Sequence, residues 1–135
     1  MDYSNYHSFP FPETIDIVYI IGIKTESDFH PFYVGQSSRH IGRFGDYLKP
    51  NFSAATDFKV GKAIEFLKNN GFKVEFKYRD SLDRDLDEKK LINEINPPLN
   101  KKKGYNYNLA QPDEELKNIE EHMLEWIDKI NIRLR

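Results

Sequence analysis

The sequence predicts an α+β domain in which a small central three-stranded sheet is flanked by helices. Three observations lead there. Residues 15–23 form a run dominated by isoleucine and valine, as in a strand covered on both faces. Residues 72–79 alternate apolar and charged side chains with a period of two. Three later segments repeat apolar residues at helical spacing. The predicted order is β-β-α-α-β-α with a further C-terminal helix.

Residues 1–14 are rich in tyrosine and phenylalanine, with Pro10 and Pro12 blocking regular structure, and read as an irregular N-terminal arm. The isoleucine-rich run is the expected central strand. After a turn at Thr25–Asp28, residues 31–35 form a second strand, close enough to pair as a hairpin. Ser37 and Ser38 are N-cap residues for a helix over 39–49, where Ile41, Phe44 and Leu48 recur until Pro50. A second helix spans 56–70, with Val60, Ala63, Ile64 and Leu67 on its apolar face and Asn70-Gly71 as its stop. In the alternating strand, Phe72, Val74, Phe76 and Tyr78 face the core, while Lys73, Glu75, Lys77 and Arg79 face water. A third helix covers 84–95 and stops before Pro97-Pro98, because the residue preceding a proline is pushed out of the helical region. The last helix, 113–134, opens on Asp113, Glu114 and Glu115, which suit the positive end of its dipole. The expected division is an arm at 1–14, the domain proper at 15–110 and the amphipathic helix at 111–135.

With 135 residues, 39% of them hydrophobic and 31% charged, the chain has material for one core. It contains no cysteine, which excludes disulfides, a thiol nucleophile and Cys-ligated zinc. No apolar run approaches the ~20 residues needed to span a bilayer, and the start lacks the basic residues of a signal peptide, so a cytoplasmic protein is expected. The net charge of −2 hides an asymmetry. Residues 39–79 carry nine Lys or Arg against four Asp or Glu, whereas both ends of the chain are acidic.

Two local patterns carry chemistry. Glu88 stands at i, i+3, i+4 and i+7 from Leu91, Ile92 and Ile95, so it shares the inward stripe of its helix. A carboxylate there must be paired, protonated or bound to a metal. Arg39, Arg43 and Tyr47 follow one another at i, i+4 and line one ridge of the first predicted helix. Gly42 and Gly45 weaken that helix, as happens where a backbone or a ligand comes close.

Together these residues resemble the GIY-YIG endonuclease family. Its first motif is represented by Ile17-Val18-Tyr19 and its second by Tyr33-Val34-Gly35, with Arg43 eight positions after Gly35. Downstream, Glu88, Leu91, Ile92, Pro97 and Asn100 resemble the glutamate helix of the excision-repair members and the turn that follows it. The likeness covers residues 15–108. Ile17 replaces the glycine that names the first motif, and Gln36 stands where some members carry lysine.

The resemblance implies hydrolysis of DNA phosphodiester bonds with one divalent cation, Mg²⁺ or a substitute such as Mn²⁺. Glu88 would be its ligand, a single carboxylate holding a hydrated hard cation. Arg43 would stabilise charge on the phosphate oxygens. Tyr33 would activate the attacking water with Tyr19 orienting it, and Tyr47 would share hydrogen bonds at the phosphate. Gln36, Arg39, Asn100, Lys101, Lys102 and Lys103 complete the expected nucleic-acid contacts, with Asn100 also fixing the turn behind Glu88. A catalytically silent nucleic-acid-binding module, or a protein-interaction module on the same fold, is the alternative.

The last helix carries the stripe Leu116, Ile119, Met123, Trp126, Ile127, Ile130 and Leu134. Packing back on the sheet is the preferred expectation for it. The alternative is a homodimer seam, since the spacing is close to a heptad.

Overall fold

A computed structural model describes residues 3–8, 16–37, 55–100 and 112–130. The elements are β1 (His7–Ser8), β2 (Ile17–Lys24), β3 (Phe29–Ser37), α1 (Ala55–Asn69), β4 (Lys73–Asp80), α2 (Arg84–Ile95), a 3₁₀ turn (Pro98–Asn100) and α3 (Pro112–Ile130). The helix expected at 39–49 lies outside the described residues.

The architecture is α+β, and the sheet is antiparallel with four strands in the order β1-β4-β2-β3. Three strands were expected. The additional one comes from the arm, where His7 and Ser8 pair with Tyr78 and Lys77 at the free edge of β4. Two residues are too few to show a period, and the nearby prolines pointed to irregular chain. β2 is central, and all of Ile17–Ile23 is buried.

Strand alternation splits the core into two layers. Ile17, Tyr19, Ile21 and Ile23 face α1 and α3, joining Val60, Ala63, Ile64, Leu67, Ile119, Met123 and Ile127. Val18 and Ile20 face the other way, with Val34 and Leu91 of α2. The register of β2 on β3 slips between Ile21 and Gly22, so that Phe32 and Tyr33 both join the α1/α3 layer. The Phe32 ring then meets Trp126 edge-on at 5.8 Å. The middle of the apolar stripe of α3 packs within the chain, where Ile119 and Met123 are fully buried against the sheet layer; Leu134 lies outside the described residues.

Local chemistry sets the ends of the helices. α1 closes with Gly71 at φ 84°, where the Phe72 amide donates to the Leu67 carbonyl and the Gly71 amide to that of Lys68. α2 begins at Asp83, whose carboxylate accepts from the Leu86 amide at 3.2 Å. It ends at Asn96, left-handed at φ 54°, immediately before the prolines.

The polar face of β4 is not the solvated face that its alternation predicted. The side chains of Glu75 and Lys77 are only 19% and 14% exposed. Tyr3 packs edge-on against Tyr6 and Phe29, the Lys77 ammonium lies 5.2 Å from the Phe29 ring centre, and the Arg79 guanidinium lies 5.6 Å from that of Tyr6. The aromatic arm and the start of β3 cover these charges.

Candidate functional site

The two motif tyrosines meet through strand pairing. Tyr19 is opposite Gly35 and Ile21 is opposite Tyr33, so both rings project to the α1/α3 layer, with centroids 6.2 Å apart. Tyr19 lays its ring across Gly35, where a Cβ would run into the ring carbon Cζ and the hydroxyl oxygen. Only glycine leaves that space. Tyr19 is fully buried, while Tyr33 retains 7% exposure.

On the opposite face, Gln36 of β3 meets the first turns of α2. Its Nε2 donates to Asp85 Oδ1 at 2.7 Å and, at a longer 3.4 Å, to Glu88 Oε1. Its Oε1 accepts from Arg84 Nη1 at 3.1 Å, and Arg84 Nε lies 3.3 Å from Asp16 Oδ1. Glu88 is half-buried, in keeping with its place on the inward stripe of the helix. Arg84 and Asp85 were not singled out in the sequence, although Asp85 precedes Glu88 by three positions and so shares its side of the helix. Further along the same helix, Asp87 accepts from Ser81 Oγ at 2.6 Å.

The 3₁₀ turn brings Asn100 to the outer edge of β3. Asn100 Oδ1 accepts from the Val34 amide at 2.7 Å and its Nδ2 donates to the Val34 carbonyl at 2.8 Å, as a further strand would. Both polar ends of this side chain are thus engaged with the backbone of β3. The turn itself is held from two helices. Lys59 of α1 donates to the Leu99 carbonyl at 2.6 Å, and His122 Nε2 of α3 lies 2.9 Å from the Pro98 carbonyl. A carbonyl only accepts, so that imidazole nitrogen carries the hydrogen. No local pattern marked Lys59 or His122, because their partners lie 40 and 24 residues away.

The structure therefore pairs Tyr19 with Tyr33 and gathers Gln36, Arg84, Asp85 and Glu88, but on opposite faces of the sheet. β3 carries both Tyr33 and Gln36 and, among the described residues, is an edge strand of the sheet. Arg39, Arg43, Tyr47, Lys101, Lys102 and Lys103 lie outside the described residues. Among the described residues no three Asp, Glu or His side chains form a metal-binding group, so a protein-built cage is not offered there. One carboxylate with a second beside it suits a hydrated hard cation that keeps most of its waters. Among the described residues, no helix is long and apolar enough to cross a membrane. No family model matches the sequence, and no curated protein or solved structure matches the chain.

Proposed function

We propose that this chain is a metal-dependent endonuclease of the GIY-YIG type, hydrolysing DNA phosphodiester bonds at the outer border of β3. One observation carries the reading. Three side chains far apart in sequence converge on three consecutive residues of one edge strand: Asn100 on Val34, Tyr19 over Gly35, and Glu88 beside Gln36. Tyr19, Val34, Gly35, Glu88 and Asn100 are among the residues on which the resemblance rests, and their convergence supports the reading.

In this proposal Glu88 is the protein ligand of Mg²⁺ or Mn²⁺, and Arg43 bears on the phosphate oxygens through its fork of donors. The bound cation supplies Lewis-acid stabilisation of phosphate charge. Tyr33 is favoured over Tyr19 for handling the proton of the attacking water, because it keeps residual exposure and Tyr19 has none. Tyr19 then orients the site from across Gly35, and Tyr47 shares the phosphate hydrogen bonds. Asn100 holds the strand border. Arg39 and Lys101, Lys102 and Lys103 supply contacts to the DNA backbone that carry no sequence information.

The deep placement of both tyrosine rings favours a second reading, a catalytically silent DNA-binding or protein-interaction module. A cleavage assay on plasmid and single-stranded DNA with Mg²⁺ or Mn²⁺ separates the two. The wild-type chain cuts, Glu88→Ala loses at least about a hundredfold in rate (~2.7 kcal/mol or more in the barrier) and Arg43→Ala is strongly reduced. A folded Glu88→Ala variant that cuts at the wild-type rate removes Glu88 from the site. DNA binding with no metal-dependent cutting establishes the silent module.

A further inference from the structure

The amide of Gln36 has partners of opposite kind at its two ends. Its carbonyl faces Arg84, and its Nε2 faces Asp85 and Glu88. A guanidinium only donates and a carboxylate only accepts, so a single orientation of the amide satisfies all three. Each anchor of this network is itself held. Arg84 is paired with Asp16, the residue before β2, and position 36 is fixed opposite Val18 in the sheet register. Asp85 and Glu88 are three positions apart on α2, so the two carboxylates face the same strand residue.

We propose that Gln36 is the positioning residue for the Glu88 carboxylate, holding it from β3 in the orientation that receives a divalent cation; the proposal rests on the reading of Glu88 as a metal ligand. A glutamate in the second turn of a helix has three side-chain torsions to order before it can bind. A donor from the rigid central sheet restricts them beforehand, and partners of this kind typically change metal affinity 10–100-fold. The chemistry of the donor matters as well. A neutral amide donates to the carboxylate without adding a charge of its own beside the site. Gln36 is accordingly assigned to Glu88 and Asp85, and not to a DNA phosphate. Its two hydrogen-bonding ends are already committed, and the two carboxylates beside it disfavour a phosphate at that point.

The test measures Mn²⁺ affinity of the full chain without DNA, from water-proton relaxation, for the wild type, Gln36→Leu, Gln36→Met and Glu88→Gln, with a thermal melt for each. Gln36→Leu and Gln36→Met are each expected to weaken Mn²⁺ binding about tenfold, with melting temperatures close to wild type. The methionine variant keeps the length of the glutamine side chain without its donor, so it carries the test if the leucine variant fails to fold. If both Gln36 variants bind Mn²⁺ like the wild type while Glu88→Gln loses it, the positioning role is overturned and the metal site stands. If Glu88→Gln and the wild type bind Mn²⁺ equally, well or not at all, the metal reading itself is wrong.

Discussion

Gly35 shows how one missing side chain organises a site. The ring of Tyr19 occupies the volume that any Cβ at position 35 would need, and Tyr19 is fully buried, so the ring has no free direction in which to retreat. Gly35→Ala is expected to lower stability by about 1–3 kcal/mol through overpacking. Urea denaturation checks it, and an unchanged midpoint would mean that the ring relocates without cost. The same contact gives a physical reason for the glycine that ends the Tyr33-Val34-Gly35 motif, which its sequence context left unexplained. Asn100 is the complementary case. Its spacing from Glu88 drew attention, but its bonding to the Val34 backbone became visible only once the chain had turned back to β3.

Among the elements, β4 departs most from its pattern. Its alternation identified the strand and its core face, because Val74, Phe76 and Tyr78 do pack on the α1/α3 layer. The other face was expected to be wet, yet the N-terminal arm covers part of it. Burial opposes ionisation of Glu75 there, but hydrogen bonds from Lys77 and Ser8, with the charges of Lys77 and Lys24, outweigh it and hold the carboxyl below its ordinary value of 4.5. A lowered folded-state pKa stabilises fully above the unfolded value, and that contribution is lost as pH falls through the folded one. Glu75→Gln should therefore cost about 0.5–1 kcal/mol at pH 7, with the difference from wild type narrowing steadily below pH 4.5. Chemical denaturation across that range measures it, and a difference independent of pH would remove the ion pair as the cause. The helices were more legible than the strands' surroundings. α1 and α2 run within a residue of the expected bounds, since long periodic stretches with a Gly or Pro stop specify both type and end.

For the molecule as a whole, α3 decides whether the sheet has a complete core. Ile119, Met123 and Ile127 belong to the same buried cluster as Tyr19 and Tyr33. Each such side chain is worth about 1.5–3 kcal/mol when buried, so their joint loss rivals the 5–15 kcal/mol that keeps an ordinary domain folded. Deleting residues 112–135 should abolish the cooperative thermal transition. A truncated chain that melts cooperatively and remains soluble would show that the helix is dispensable. The stripe packs on this sheet through Ile119, Met123 and Ile127, and its heptad-like spacing carries no preference of its own, because a stripe of that period fits a sheet or a second helix equally well.

Periodicity sufficed for the α+β class, three of the four strands and the three described helices, since a period of two or 3.6 reports locally which face of an element is apolar. Spacing likewise marked Glu88 as an inward carboxylate on α2. Neither could show which layer an element joins. Strand parity puts Tyr19 and Tyr33 on one face of the sheet and Gln36 on the other, and only the crossover into α2 sets Glu88 beside Gln36. The edge strand at His7–Ser8, the Asn100 clamp and the supports from Lys59 and His122 depend on partners 24 to 71 residues distant. Contacts of that range leave no local periodic trace, so only the tertiary structure shows that Val34, Gly35 and Gln36 are each met by a side chain distant in sequence.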